Sequence, residues 1–284
     1  MKTLSLANFG SAAPSPATAP SLTQRLADAL RTLHRVNPAL SYTGWLNVGL
    51  AGLALALLPL DHRHVTGVLV WIKPLKFSLS IVAYAWTLGW LLADLPAPAQ
   101  RAVRRLSAGV ALSMVVEQAV IFIQAGRGTT SHYNVSSPLN GVLFGLMGVF
   151  IAVNTVMTIW AGYLAWRYRP HGPAGYVWGL RLGLLVFLIG SVLGGFMIHN
   201  QQHTVGAPDG GPGLPGLGWS TVAGDLRIAH FLGMHALQAL PLLGWALSRR
   251  VPRRAAVLTW VGTGLYAAAV AGLLLGALAG RPLL

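Results

Sequence analysis

The chain has 284 residues, of which 54% are hydrophobic and only 9% are charged. Soluble domains carry about 25% charged residues, so this chain cannot cover a water-facing surface, and an ordinary soluble fold is excluded. The sequence contains 0 cysteines, which excludes disulfides, iron–sulfur clusters, thiolate zinc sites and covalently attached c-type haem. The composition predicts a polytopic membrane protein.

The first segments of the chain are polar and differ from the rest. Residues 1–20 are small, polar and rich in proline, without a continuous apolar run, and they predict a disordered tail rather than a signal peptide. Residues 21–38 place leucines at helical spacing on one face, with Arg25, Arg31 and Arg35 largely elsewhere. This pattern predicts a basic amphipathic helix lying on a membrane surface.

Residues 39–284 contain seven mostly apolar runs, each close to the roughly 20 residues that a membrane-crossing helix needs. We therefore predict an all-α integral membrane protein with a seven-transmembrane-helix bundle. The predicted spans are about 41–60, 67–92, 106–126, 139–166, 176–199, 227–247 and 256–279.

Two spans contain glycines spaced by four, a spacing that permits close approach of helix backbones. They are Gly141 and Gly145 in the fourth span, and Gly272, Gly276 and Gly280 in the last. These glycines predict helix contacts, although glycine is also simply common here, with 34 residues.

The arginines predict the orientation of the bundle. Three precede the first span. Three lie between spans two and three, two lie between spans four and five, and four lie between spans six and seven. The alternate loops hold only Arg63 and Arg127. The positive-inside rule then predicts a cytoplasmic N-terminus and an extracytoplasmic C-terminus, in a bacterial inner membrane. It also explains the net charge of +14 without nucleic acid, for which no binding motif is present.

Glu117 is the only glutamate in the chain, and it lies within the apolar run ALSMVVEQAVIFIQ of the third span. An ionisable group inside a membrane costs several kcal/mol unless it is paired, and by default it marks a functional interior. Lys76 in the second span and His235 in the sixth lie at a similar predicted depth. We predict that Glu117, Lys76 and His235 form a proton or charge network; the alternative is an ion pair that only fixes helix packing.

Histidines concentrate in the predicted extracytoplasmic half. His199 and His203 have the spacing that places two imidazoles on one helix face, as metal sites need, and His230 begins the sixth span. We predict these three as ligands of haem b or of a divalent metal; the alternative is interfacial histidines bonded to water or lipid headgroups. The histidines of this half are His62, His64, His132, His199, His203, His230 and His235.

Further polar residues surround the predicted outer mouth. Arg127, Arg227 and His132 are predicted to bind a cofactor or a small anionic substrate or lipid headgroup there. Asp225 is expected to cap the sixth span. Residues 204–220, rich in glycine and proline, predict a lid over this mouth.

Three functions follow from these residues. The leading prediction is a metal- or haem-binding protein that carries out a redox reaction with quinone, or a metal-assisted reaction on a lipid. The second is a small proton-coupled transporter that uses Glu117 and Lys76, and the third is a membrane sensor or assembly factor without catalysis. A bound chromophore or metal favours the first, and substrate-dependent proton movement favours the second.

Overall fold

The computed structural model describes residues 21–283 of the chain. The predicted disordered tail, residues 1–20, lies outside the described residues. Eight α-helices make up most of the described part: α1 (Leu22–Val36), α2 (Pro38–Leu57), α3 (Ile72–Ala93), α4 (Gln100–Gly126), α5 (Pro138–Arg167), α6 (Ala174–Asn200), α7 (Leu226–Arg250) and α8 (Ala255–Leu278). Two short antiparallel hairpins join them: β1 (His64–Val65) with β2 (Val68–Leu69), and β3 (Thr204–Val205) with β4 (Gly224–Asp225).

Seven of these helices, α2 to α8, are long and apolar enough to cross a membrane. The predicted helical bundle with seven apolar helices is thus confirmed. The largest difference in bounds is at α4, which begins at Gln100 rather than at 106. Apolar patterns report only the part of a helix in hydrocarbon, and arginine is a good helix former, so the basic turn simply continues the helix.

The amphipathic helix α1 is fixed at both ends. A capping box between Ser21 and Gln24 starts it. Asn37 ends it and caps α2, and its side chain also donates to Ser107 on α4 at 2.8 Å. Leu33 is buried against the bundle near Gly89. The helix therefore packs on α2 and α3, and its position on a membrane surface stays a prediction.

The closest helix contact joins α6 and α7, through glycines that the spacing argument did not identify. A Cβ placed on Gly190 would lie 2.7 Å from the carbonyl carbon of Gly233. By contrast, a Cβ on Gly141, Gly145 or Gly272 would meet nothing within 4 Å. The contacts predicted for α5 and α8 from these three glycines are wrong, because both helices lie at the periphery and turn these glycines outward.

The two ends of the bundle differ, and we name them by their residues. The histidine end comprises the loops 58–71, 127–137 and 201–225. The arginine end comprises α1 and the loops 94–99, 168–173 and 251–254. At the histidine end, the pairing of β3 with β4 closes residues 206–223 into a flap that we call the lid. A Cβ on Gly67 would lie only 2.9 Å from the backbone oxygen of Gly210, so the first hairpin touches this lid.

Candidate polar site beneath the lid

The centre of the candidate site is Glu117 on α4. Its side chain faces the bundle interior and the residue is only 4% exposed. One carboxylate oxygen, Oε1, lies 3.6 Å from Nε2 of His132. The other, Oε2, is buried and has no hydrogen-bond partner among residues 21–283. Glu117 therefore presents a buried acceptor without a donor.

His132 reaches Glu117 from the loop between α4 and α5. Its Nδ1 lies 3.1 Å from Nζ of Lys73 and 3.0 Å from Oγ of Ser131. A charged lysine can only donate, so Nδ1 accepts and the ring proton sits on Nε2, the nitrogen that faces Glu117. Burial, followed by repulsion from Lys73 and His203, lowers the pKa of His132 well below its usual value. The ring is thus neutral at pH 7, and Lys73, His132 and Glu117 form one chain.

This chain corrects the predicted network of Glu117 with Lys76 and His235. Lys76 donates from Nζ to the backbone oxygen of Leu217 in the lid, at 2.8 Å. The ring of His235 packs edge-on against Phe231, with the ring centroids 4.1 Å apart. Lys76 and His235 are thus engaged elsewhere. The positions beside Glu117 that were predicted for them are occupied by Lys73 and His132.

The start of α7 is held by a charge pair. Asp225 caps the helix as predicted, accepting from the backbone nitrogen of Arg227 at 3.0 Å. The Arg227 guanidinium also forms a two-point ion pair with it, at 2.9 Å from Nε and 2.6 Å from Nη2. Burial raises the pKa of Asp225, but the hydrogen bonds and charge of Arg227 outweigh burial and hold it below its usual value.

Arg127 and Arg227 do not act on one group. Arg127 donates to Gln124 and Asn140, at 2.5 and 2.8 Å, and so fixes the loop that carries His132. Arg227 donates to Asp225 and to the lid. The two guanidinium groups share no hydrogen-bond partner within residues 21–283, and their joint binding of a ligand at the mouth stays a prediction.

The three predicted metal ligands lie in different surroundings. His199 is exposed at the end of α6. Nδ1 of His203 lies 3.2 Å from Oδ1 of Asp209, and Nδ1 of His230 lies 2.7 Å from the backbone oxygen of Gly190. The helix ends at Asn200, and Gln201 takes a left-handed conformation, so His203 leaves the face that carries His199.

No group of three or more histidine or carboxylate side chains within residues 21–283 is placed to hold a metal ion. The structure thus does not bring His199, His203 and His230 together as one ligand set. Burial and the nearby charge of Arg227 lower the pKa of His203 to about 4, against the opposing effect of Asp209. His203 therefore holds the lid through Asp209 as a neutral ring.

Two separate groups of polar contacts lie within the bundle. Gln118 donates to Oγ of Ser78 at 2.6 Å. Further along α3, the hydroxyl of Tyr84 donates to Asn154 at 3.0 Å and lies 2.9 Å from Oγ1 of Thr158. Asn154 and Thr158 were not among the predicted site residues; the available signal was an asparagine within the otherwise apolar run of α5.

A cavity of about 320 Å³ lies nearer the arginine end, between α1, α3 and α7. Its lining is almost wholly apolar, with Leu33, Trp86 and Pro241 among its walls. Gln238 is one of its polar residues: Nε2 donates to the backbone oxygen of Ala83 at 3.3 Å, and Oε1 is buried without a partner in residues 21–283. This cavity was not predicted from the sequence, because it depends on how α1 packs.

Comparison with known proteins adds no family to this description. No protein-family model, curated protein or solved structure is significantly similar to the chain. The functional conclusion therefore depends on the geometry of the site itself.

Proposed function

We propose that the protein is a small proton-coupled membrane carrier, with Glu117, His132 and Lys73 as the group that takes up and releases the proton. The observation that carries this proposal is the buried Oε2 of Glu117, at the end of the Lys73–His132–Glu117 chain, for which the described part of the chain offers no donor. A buried acceptor without a partner costs free energy, and a proton or a substrate donor removes that cost.

The chemistry of the chain suits proton transfer. His132 lies between a cation and a carboxylate, with one ring nitrogen toward each. When a proton moves from Nε2 to Glu117, Nδ1 takes one from Nζ of Lys73, so the ring passes a proton along the chain without moving far. A structural ion pair between Glu117 and a lysine would not require a histidine between the two charges.

The site is also closed in a way that suits a carrier. The lid covers the histidine end, and further polar side chains, Gln118 and Tyr84, make hydrogen bonds inside the bundle. From the arginine counts we propose that the histidine end is extracytoplasmic, that the N-terminus is cytoplasmic and that the membrane is a bacterial inner membrane. The lid would then open toward the outside.

A metal or haem function through His199, His203 and His230, with quinone or a lipid as partner, stays a prediction. It needs these histidines in another arrangement, because no three histidine or carboxylate side chains within residues 21–283 are placed to hold a metal ion together. The carrier proposal uses the contacts as they stand.

The test is proton movement in vesicles that contain the purified protein and an internal pH dye. Small organic acids and organic cations are added outside at a fixed pH. We expect one of these compounds to drive proton uptake in the wild type, and Glu117→Gln to abolish it. Asp28→Asn, which removes an exposed carboxylate on α1, is the matched control and should keep uptake unchanged. Equal uptake by the wild type and Glu117→Gln would overturn the proposal.

A further inference from the structure

Two cations from different helices meet at the tip of the lid. Nζ of Lys76, on α3, donates to the backbone oxygen of Leu217 at 2.8 Å. Nη2 of Arg227, on α7, donates to the backbone oxygen of Gly218 at 2.5 Å. The two acceptors belong to consecutive residues, so a single short stretch of lid backbone occupies both cations.

The backbone conformation and the packing of the lid hold it in this contact. Gly216 and Gly218 have φ of +73° and +67°, a left-handed conformation that glycine adopts without strain. Trp219 packs against Phe231 of α7 at a ring separation of 5.5 Å, and the backbone nitrogen of Ser220 donates to Asp225. These contacts bring the carbonyl groups to the two cations.

The two cations differ in how their charge is balanced. Arg227 is paired with Asp225 through two hydrogen bonds. Lys76 has no carboxylate within 4.0 Å in the described part of the chain. Its only hydrogen bond there is to Leu217, so a neutral carbonyl dipole is the acceptor for a full positive charge. About one net positive charge is left for a ligand at this point.

We propose that Lys76 and Arg227 bind the carboxylate of a small organic acid, and that the Leu217 and Gly218 carbonyl oxygens hold the places of its two oxygens while the lid is closed. This inference rests on the proposed carrier function, because it names the class of substrate. A carboxylate offers two oxygens and one negative charge, which matches two donors with one unbalanced charge. A phosphate dianion would bring one charge too many.

In this proposal, binding of the acid favours opening of the lid. A carboxylate exchanges a charge–dipole contact at Lys76 for a charge–charge contact, so its arrival favours release of the lid backbone. When no acid is present, the lid carbonyls keep both half-buried cations hydrogen-bonded. Binding of the acid and opening of the lid are therefore coupled.

The experiment is equilibrium binding of radiolabelled benzoate and lactate to the purified full chain in detergent. We expect saturable binding of at least one of them to the wild type. Lys76→Gln should weaken it roughly tenfold or more, as for loss of a charge-assisted hydrogen bond. Lys76→Arg should keep most of the affinity. Arg63→Gln is the control, because Arg63 carries a charge at the same end but binds Asp61, and it should leave binding unchanged.

Competition identifies the source of the anion. Unlabelled acid should displace the label, whereas inorganic phosphate at the same concentration and phosphatidylglycerol in nanodiscs should not. Displacement by phosphate or by phosphatidylglycerol in preference to the acid would overturn the assignment of a carboxylate, and so would equal binding by the wild type and Lys76→Gln. If Lys76→Gln does not fold, Arg227→Lys, which should weaken binding while keeping the charge, replaces it.

The carboxylate site and the carrier function can be overturned independently of each other. Binding that is lost in Lys76→Gln but kept in Glu117→Gln supports the carboxylate site whether or not protons are moved. Proton uptake that depends on Glu117, together with unchanged binding in Lys76→Gln, overturns the carboxylate site and leaves the carrier function standing.

Discussion

Within residues 21–283, one buried carboxylate with an unpartnered oxygen lies toward each end of the bundle, and the two differ in what surrounds them. At the arginine end, Asp94 accepts a hydrogen bond from the hydroxyl of Tyr176 at 2.5 Å, and its Oδ1 has no partner in this part of the chain. At the histidine end, Glu117 meets His132, which in turn contacts Lys73. Burial alone therefore does not distinguish the two carboxylates. The difference is the histidine beside Glu117, which is a base that can carry a proton.

Asp94 links two loops of the arginine end through hydrogen bonds. Its backbone oxygen accepts from the backbone nitrogen of His171 at 2.7 Å, so residues 94 and 171 hold two loops of the arginine end together. Burial raises the pKa of Asp94 to about 7, against the lowering effect of the Tyr176 hydroxyl. No histidine or lysine side chain is hydrogen-bonded to Asp94 in residues 21–283, whereas His132 lies beside Glu117.

The largest expected effect separates these two carboxylates by activity. We expect His132→Asn to lower proton uptake by roughly 10²-fold or more, because it removes the group that passes the proton to Glu117. Asp94→Asn should change uptake less than twofold by the same dye measurement. A loss in Asp94→Asn comparable with that in His132→Asn would contradict the distinction between the two ends.

The second effect is a pH dependence of stability at Asp94. Its pKa is raised from 3.8 to about 7 by folding, so the folded state holds a proton that the unfolded state releases within this window. This stabilisation is fully present below pH 3.8 and is lost as the pH rises to about 7. The loss in the free energy of unfolding is at most roughly 4 kcal/mol. Asp94→Asn should flatten this decline, measured as the free energy of unfolding in mixed micelles. An equally steep decline in Asp94→Asn would contradict it.

The third effect concerns the buried pair at the start of α7. Asp225→Ala removes the helix cap and leaves Arg227 without its carboxylate, so we expect a loss of about 1–3 kcal/mol in the free energy of unfolding. The lid should also lose order, since Ser220 donates to Asp225. Limited proteolysis within residues 206–223 checks this second result. A variant as stable as the wild type would show that the pair does not hold the lid.

The smallest effect is expected at an exposed pair on α1. Arg31 and Asp28 lie 3.0 Å apart, with side chains 71% and 67% exposed. Water screens such a pair, so Asp28→Asn should change the free energy of unfolding by no more than about 0.5 kcal/mol. The same unfolding measurement therefore ranks Asp225→Ala above Asp28→Asn. The reverse order would show that burial does not decide the value of these pairs.

Hydrophobic runs predicted the number of helices that are long and apolar enough to cross a membrane, because each crossing needs its own apolar stretch. The burial of Glu117 inside the bundle could also be predicted, since it is the single glutamate within such a stretch. Its partners could not, because His132 reaches it from a loop whose path depends on Arg127, Gln124 and Asn140. Helical spacing placed His203 on the same helix face as His199, but α6 ends at Asn200, before the second histidine.

One measurement tests the central claim most directly, and the sequence makes it feasible. Because Glu117 is the only glutamate, labelling glutamate with carbon-13 gives one side-chain carboxyl signal from the whole chain. Its chemical shift is followed by nuclear magnetic resonance from about pH 4 to about pH 10, in the wild type and in His132→Asn. The account predicts one titrating signal whose midpoint moves when His132 is replaced. A signal that does not titrate, or whose titration is the same in both proteins, would contradict proton exchange between His132 and Glu117.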